Sequence, residues 1–289
     1  MTGLLREEFA MTWSDYSLRM GRRTMIMGVL NVTPDSFSDG GLFFQNDRAV
    51  EQGLAMAREG ADIIDVGGES TRPYSEGVSD EEELNRVIPV IEALNREISI
   101  PISIDTCKAR VAEEALQAGA SIINDISALR VDPGVASVAA RAGVPVILMH
   151  MKGTPGDMQD NPTYESLIPE ILDFLRAAVE RAMEAGIRRE MIILDPGIGF
   201  GKTYSHNLEI IRELNQFAIL GRPMLLGTSR KAFIGHILGV EPLRRDNGTM
   251  ATVAACILNG AHIVRVHNVK MASETVKIVD AIRMAGKGN

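Results

Sequence analysis

Cysteines, aromatic residues and long apolar runs are scarce in this sequence of 289 residues. The two cysteines, Cys107 and Cys256, are too far apart to form a metal-ligand motif, and the N-terminal segment has no apolar core typical of a secretion signal. Residues 248–264 contain no Asp, Glu, Lys or Arg, but Asn259 and His262 interrupt them, which predicts a buried helix and a strand instead of a membrane span. We therefore expect a cytoplasmic protein with no membrane partner.

Positive charge is also scarce, since the formal net charge is −8 and no run of Lys or Arg occurs. Nucleic-acid backbones are attracted by summed positive charge, so we expect no nucleic-acid partner. An anionic small molecule would have to meet a local basic cluster. The contents of 45% apolar and 24% charged residues are typical of globular proteins, and with 4% aromatic residues the core should consist of Ala, Ile, Leu, Val and Met.

Short runs rich in Ile, Val and Leu recur eight times along the chain. They lie within residues 24–31, 61–70, 101–105, 121–127, 145–150, 191–197, 223–229 and 262–268. Without polar alternation, such runs are typical of parallel strands covered on both faces. Segments with helical spacing lie between them, at 47–59, 80–97, 108–118, 164–185 and 207–217. The alternation predicts an α/β fold, a TIM (β/α)8 barrel.

We expect one domain over residues 1–289, because no linker or change of composition divides the chain. Residues 24–267 would hold the barrel strands, 268–289 a C-terminal helix, and 1–20 an extension that caps the lower end of the barrel. A doubly wound sheet is the alternative, but it would usually have fewer strands and a glycine fingerprint after the first one.

A glycine stands between a helical segment and an apolar run at four places, Gly60, Gly119, Gly143 and Gly260. A left-handed residue commonly ends a helix at this position. The repeated unit is therefore a strand followed by a helix, which again favours the barrel.

Each apolar run ends in residues that are costly to bury. They are Asn31, Asp65, Glu69, Asp105, Asn124, Asp125, His150, Asp195, Ser229, Lys231, Arg265 and His267. Any one of them could simply cap the next helix. The carboxyl ends of barrel strands meet at one rim, however, and barrel enzymes hold their active sites there. We therefore expect the functional site at this rim.

Two carboxylates and an amide among these residues indicate a type of ligand. Asp105, Asn124 and Asp195 lie inside or just beyond strands, where a carboxylate without a partner is costly. They suit a flat heterocycle with several N–H groups, such as an aminopyrimidinone ring, better than a phosphate. A hydrogen-bonded polar core is the structural alternative.

Positive charge gathers at the ends of the last two runs. Ser229, Arg230 and Lys231 end the seventh run, and Arg265 and His267 lie on the same side of the eighth because side chains alternate along a strand. Phosphates usually bind at these two loops of a barrel, so we predict a phosphate or diphosphate site. Solvated surface charge is the simpler interpretation of either group alone.

A glycine-rich loop follows Asp195. Residues 196–203 nearly match a phosphate-binding loop, but Pro196 stands at its first position and has no N–H to donate. The glycines instead suggest close approach to a planar ligand, with Phe200 available to cover it, or a plain turn. We assign His150 only a place on the polar rim, and Cys107 a buried or capping role.

The sequence resembles the dihydropteroate synthase family in the order and spacing of seven strings: NVTPDSFSDGG, DVGGESTRP, SIDT, INDIS, DPGIGFGK, GTSRKAFIG and RVH. The resemblance runs from about residue 25 to residue 267. It implies a TIM barrel that joins 6-hydroxymethyl-7,8-dihydropterin diphosphate to 4-aminobenzoate and releases pyrophosphate in folate biosynthesis. It also implies Mg²⁺ as a cofactor and a homodimer.

The resemblance also implies roles for individual residues. Asn31 corresponds to a residue at the magnesium ion and the diphosphate. The pterin diphosphate would contact Thr71, Asp105, Asn124, Asp195, Phe200, Lys231, Arg265, Val266 and His267, and 4-aminobenzoate would lie near Phe37, Arg72, Pro73 and Ser229. The candidate catalytic residues are Lys231, Asp105, Arg265 and His267. Ala232 departs from the family, because many members have Ser there, and 4-aminobenzoate would then rely on a backbone N–H or on Ser229.

The amine of 4-aminobenzoate is a weak nucleophile, so we expect catalysis to assist departure of the diphosphate. Mg²⁺, Arg265 and His267 would neutralise its growing charge, while Asp105 and Asp195 would stabilise a cationic pterin methylene. No strong general base is required. Two alternatives stay open: a corrinoid-linked methyltransferase barrel that holds methyltetrahydrofolate, and a pterin-binding protein without turnover.

Two long polar loops are interpreted as covers of the site. Residues 33–41 end in two glycines and would form a mobile lid, with Phe37 over the aminobenzoate and Asp35 or Asp39 near Arg72 or the incoming amine. The Gly/Ser-rich loop after the second run is a second candidate lid, or ordinary surface.

Overall fold

The computed structural model describes residues 6–33, 42–70, 75 and 77–285. A hairpin of β1 (Phe9–Trp13) and β2 (Tyr16–Met20) precedes eight parallel strands. These are β3 (Met25–Asn31), β4 (Ile63–Gly67), β5 (Ile102–Asp105), β6 (Ile122–Asp125), β7 (Val146–Met149), β8 (Ile192–Asp195), β9 (Leu225–Leu226) and β10 (Ile263–Val266). They pair in the order β8, β7, β6, β5, β4, β3, β10, β9, and a bridge from Leu194 to Met224 joins the two ends. The predicted TIM barrel is confirmed.

The barrel strands are buried on both faces, as the absence of polar alternation predicts. Every residue of β4, β6, β7 and β8 is buried. The parallel register sets Asn31 beside Gly67, Gly67 beside Asp105 and Asp105 beside Asn124. Three strands, β3, β5 and β6, thus bring polar side chains to one level at the carboxyl end of the barrel, with Gly67 of β4 between them.

Nine helices are seen in the described ranges, and they surround the barrel. They are α1 (Leu42–Glu59), α2 (Asp80–Glu97), α3 (Ala109–Ala118), α4 (Gly134–Ala142), α5 (Leu167–Glu184), α6 (Tyr204–Arg212), α7 (Ala232–Leu238), α8 (Asp246–Leu258) and α9 (Val269–Met284). None of these helices is long and apolar enough to cross a membrane. The uncharged stretch at 248–264 forms most of α8 and the first two residues of β10, in agreement with the predicted helix and strand.

The predicted helix boundaries hold for α2 and shift elsewhere. The Ser79 hydroxyl accepts from the Glu82 N–H at 3.2 Å and begins α2 where predicted. The helix predicted over 207–217 is wrong in its bounds. The Thr203 side chain caps the start of α6, which therefore begins at Tyr204 and ends at Arg212. A separate 3₁₀ helix covers Leu214–Leu220. Local capping, which the apolar spacing does not show, causes this shift.

The four glycines between helices and strands all have positive φ, at 103° for Gly60, 118° for Gly119, 64° for Gly143 and 114° for Gly260. The predicted left-handed helix ends are confirmed. At Gly119 a side chain is also excluded by space, because a Cβ would lie 2.3 Å from Cγ of Asn95.

The N-terminal hairpin lies at the amino ends of the barrel strands. Trp13 and Leu18 join the hydrophobic core of the barrel. The Phe9 ring meets the His262 ring edge to face at 5.2 Å between centroids, directly before β10 begins. Residues 9–20 therefore lie opposite the polar rim.

Candidate active site

A buried charge cluster lies at the carboxyl ends of β4, β5, β6 and β10. Arg265 Nε donates to Asp65 at 2.6 Å, and Arg265 Nη2 donates to Asp105 at 2.6 Å. Asn124 Nδ2 donates to the same Asp65 oxygen at 3.1 Å. Residues far apart in the sequence therefore meet across the barrel, and one guanidinium joins two carboxylates.

The charges of this cluster are set by burial and by each other. Burial raises the pKa of Asp105 to about 7, although Arg265 acts in the opposite direction. Burial also works against the Arg265 charge, but Asp65 and Asp105 outweigh it and raise the pKa of Arg265. Arg265 is therefore a permanent cation in the mouth of the barrel.

A second polar group lies at the ends of β8 and β9. Asp195 Oδ1 accepts from the Gly197 N–H at 2.7 Å, and burial raises the pKa of Asp195 to about 6. Lys231 Nζ lies 4.2 Å from the centre of the Phe200 ring. Burial and the charge of Arg265 lower the pKa of Lys231 to about 8. Acceptor, cation and aromatic ring thus lie together, as a planar ligand with N–H groups requires.

Ser229 and His267 are bonded to each other. Ser229 Oγ lies 2.9 Å from His267 Nδ1 and accepts from the His267 backbone N–H at 3.2 Å. Burial and the neighbouring cations, first Arg265, lower the pKa of His267 to about 3. His267 is therefore a neutral hydrogen-bonding group at pH 7 in the structure without ligand.

Arg230 is directed away from the predicted basic group. Its guanidinium forms two hydrogen bonds with Asp246, at 2.7 and 3.0 Å. Lys231 and Arg265 therefore remain as the cations of the predicted phosphate site.

Other predicted residues take a place at the rim or lie outside the described ranges. Asn31 ends β3 half-buried, and a Cβ at its neighbour Gly67 would lie 3.9 Å from the Asn31 side-chain oxygen. Val266 is buried in β10. Phe37, Thr71, Arg72 and Pro73 lie outside the described residues, as do Asp35, Asp39 and most of the proposed lid.

Two residues of the rim were underestimated from the sequence. The sequence marks Asp65 only as one of many polar strand ends, yet Asp65 accepts from Arg265 and Asn124 at a position with no solvent exposure. Lys202 was set aside with the false phosphate-binding loop, but its ammonium group lies 2.8 Å from His150 Nδ1 in the interior. A charged residue inside an apolar run is the signal that could have marked Asp65.

Burial raises the pKa of Cys107, which agrees with the plain role assigned to that thiol.

A cavity of about 220 Å³ lies at the opposite end of the barrel. Arg6, Arg222 and Arg283 are among its lining residues. Arg283 and Arg6 pair with Asp280, at 2.8 and 3.9 Å. Since barrel enzymes act at the carboxyl ends of their strands, we assign the active site to the rim and a structural role to this amino-terminal end.

Comparison with known proteins agrees with the geometry of the rim. The model of the family described as pterin binding enzyme matches residues 27–267. Dihydropteroate synthase of Bacillus subtilis is 50% identical over 272 residues, which cover 94% of this chain and 92% of that protein.

Solved structures show the same similarity. The dihydropteroate synthase of Yersinia pestis in complex with a sulfonamide drug has a TM-score of 0.90 at 44% identity, over 96% of this chain and 100% of that one. The Xanthomonas albilineans dihydropteroate synthase with 4-aminobenzoic acid has a TM-score of 0.89 at 41% identity, over 96% of this chain and 99% of that one.

Proposed function

This chain belongs to the family of pterin-binding enzymes and has the activity of a dihydropteroate synthase, and from this premise we propose how its rim holds the substrates. The enzyme is a transferase of folate biosynthesis. It condenses 6-hydroxymethyl-7,8-dihydropterin diphosphate with 4-aminobenzoate and gives 7,8-dihydropteroate and pyrophosphate.

We assign the pterin ring to the space bounded by Asp105, Asn124 and Asp195, with Phe200 and Lys231 against it. The observation that carries this assignment is the buried acceptor set at the strand ends, where Asp105 of β5 is bonded by Arg265 and Asp195 of β8 accepts from the Gly197 N–H. Ring N–H groups would donate to the carboxylates. Burial in a site of low dielectric makes each such bond stronger than it is in water.

We assign the diphosphate to Arg265, Val266 and His267 at the end of β10. Arg265 supplies the permanent charge, while neutral His267 can donate or accept one hydrogen bond. Because Arg265 also binds Asp105, the pterin and diphosphate ends of the substrate share one residue. Charge that grows on the leaving diphosphate is stabilised by this cation.

Mg²⁺ fits the rim as an ion held mainly by the substrate. In the described part of the chain no group of three His, Cys, Asp or Glu side chains could hold a metal. Mg²⁺ commonly takes only one or two protein oxygens and completes its shell with phosphate oxygens and water. The Asn31 amide oxygen would supply one such ligand, and the ion would neutralise charge on the leaving diphosphate.

The reaction then needs little further chemistry from the protein. The bond between the pterin methylene carbon and the diphosphate oxygen breaks, and the amine nitrogen of 4-aminobenzoate forms the new bond to that carbon. Positive charge on the methylene is stabilised by Asp105 and Asp195. The product nitrogen loses one proton, which a cationic amine does without a strong base. Ser229, the described residue assigned to 4-aminobenzoate, is held by His267.

A homodimer agrees with the exposed apolar side chains of neighbouring helices. Tyr204, Leu208, Ile237, Leu238, Leu243 and Leu258 are each at least 44% exposed. They lie on α6, α7, α8 and the turn before α8, and these helices pack side by side. An exposed apolar patch of this kind is typical of a surface that binds another chain. We propose that a second copy covers it.

Pyrophosphate release from pterin diphosphate and Mg²⁺, with and without 4-aminobenzoate, tests the function. We expect release to require 4-aminobenzoate and to match dihydropteroate formation one to one. Lys231→Ala and Asp105→Asn should each lower the rate at least about tenfold, the usual size of a single electrostatic contribution at such a site. Release that ignores 4-aminobenzoate would contradict the function, and normal rates in both variants would contradict the site.

A further inference from the structure

Lys202 is a fully buried lysine at the rim, with 1% of its surface exposed. Its ammonium group donates to the Phe200 carbonyl at 2.9 Å and lies 2.8 Å from Nδ1 of His150. The His150 carbonyl lies at a longer distance, 3.4 Å. Burial of an ammonium group is costly unless the group is well paired, so these contacts are what allows Lys202 to lie inside the protein.

His150 is a suitable partner because it is neutral. Burial and the charge of Lys202 lower the pKa of His150 to about 2, so Nδ1 can accept a hydrogen bond. Burial lowers the pKa of Lys202 to about 7, although Asp195 acts in the opposite direction. The Phe174 ring meets the imidazole edge to face at 4.7 Å between centroids and restricts its rotation.

These contacts connect the ends of two neighbouring strands. His150 directly follows β7, and Phe200 lies in the loop after β8. The His150 N–H also donates to the Asp195 carbonyl at 2.9 Å. Space between the two segments is minimal, because a Cβ at Gly197 would lie 2.0 Å from the His150 carbonyl oxygen. Lys202 therefore fastens the glycine-rich loop to the end of β7.

We propose that Lys202 is a positioning residue: it holds the Phe200 carbonyl next to His150 and thereby keeps the pterin-binding residues in place. Held in this way, the Phe200 ring stays against Lys231, and the Asp195 carboxylate stays directed at the edge of the pterin ring. Lys202 contacts none of the reacting atoms. The inference rests on the proposed binding of the pterin between Asp195 and Phe200.

Lys202→Met tests the proposal because it keeps the length of the side chain and removes the donors. Lys152→Met is the matched control. Lys152 lies near the same loop, but 45% of its side chain is exposed and its ammonium group lies over the outer Tyr164 ring at 4.3 Å. Calorimetric titration with pterin diphosphate, without 4-aminobenzoate, gives the Kd of each variant, and a thermal melt gives its stability.

We expect Lys202→Met to weaken pterin binding about tenfold, because it removes the donor that joins the Phe200 carbonyl to His150. Lys152→Met should leave the Kd unchanged, and Asp195→Asn should weaken it. A merely structural Lys202 would lower the melting temperature without changing the Kd. If Lys202→Met does not fold, His150→Leu takes its place, because it removes the acceptor and leaves the lysine, and it should weaken binding similarly.

Wild-type affinity in folded Lys202→Met, or in His150→Leu where that variant stands in, overturns the positioning role. When Asp195→Asn is weakened in the same series, the proposed pterin site stands and only the role of Lys202 falls. Unchanged binding in Asp195→Asn overturns both, because the pterin would then lie elsewhere.

Discussion

Replacing Asp65 by Asn should separate the charge of this residue from its shape. Asn fits the same space, and its oxygen can accept from Arg265 and Asn124 as one Asp65 oxygen does now. Two things change: the negative charge is lost, and an amide group takes the place of the second Asp65 oxygen. That oxygen is buried and has no hydrogen-bond partner among the described residues, so the amide would be an unpaired donor.

The expected loss follows from the surroundings of the pair. Breaking a buried ion pair costs about 3–5 kcal/mol, and an unpaired buried donor costs about 1–3 kcal/mol. Arg265 keeps Asp105, and 22% of its side chain is exposed, so the loss should be near the lower end of the range for a buried ion pair, about 3 kcal/mol in the free energy of unfolding. Arg265 would also shift toward Asp105, and kcat/KM for pterin diphosphate should fall at least about tenfold.

Asp246→Asn is the matched control, because Asp246 also pairs with an arginine near the rim. Its side chain is 20% exposed and that of Arg230 is 27% exposed. The Asp246 side chain bonds Arg230 and Asn268, neither of which is assigned to the substrates, and its charge affects the pKa of His267 less than burial and Arg265 do. We expect a loss of about 1 kcal/mol or less and near-normal kinetics. Urea unfolding and pyrophosphate release measure the two quantities. Equal effects of both variants on kcat/KM would refute a special role for Asp65.

Three other predictions follow from the site and its surroundings. Burial raises the pKa of Asp105 to about 7 and that of Asp195 to about 6, so kcat/KM for pterin diphosphate should fall as the pH drops from 7 to 5 and the two carboxylates gain protons; a kcat/KM that does not change over this range would contradict this. Gly199→Ala should lower the free energy of unfolding by about 1 kcal/mol and weaken pterin binding, because its φ is 85° and a Cβ would lie 3.1 Å from Cδ of Lys231. Gly143→Ala is the control: its φ is 64° and a Cβ would meet nothing within 4 Å, so it should show the loss of stability alone. The Leu243 side chain is 79% exposed, and Leu243→Glu should produce monomers in sedimentation velocity, whereas Ile278→Glu on α9 should leave the dimer intact. Dimers in both variants would place the interface elsewhere.

The barrel could be predicted because each of its strands lies in a short apolar run that is followed by polar residues. The alternation of such runs with helical segments allows few other folds. The start of α6 could not be predicted as well, since Thr203 and His206 set it through a local pair of capping hydrogen bonds that the apolar spacing does not show.

The partners within the site could not be predicted from spacing. Asp65 and Arg265 are separated by 200 residues, and only closure of the barrel brings their side chains to 2.6 Å. The neutral state of His267 depends on burial and on cations from other strands. Lys202 was missed for a similar reason, because a lysine in a glycine-rich loop is usually exposed, whereas here His150 and the Phe200 carbonyl hold it inside.

A crystal structure with bound pterin diphosphate tests the central claim most directly. We predict that ring N–H groups lie within hydrogen-bond distance of the Asp105 and Asp195 carboxylates, with the diphosphate at Arg265 and His267. A pterin bound in the cavity at the amino ends of the strands, beside Arg222 and Arg283, would contradict the account.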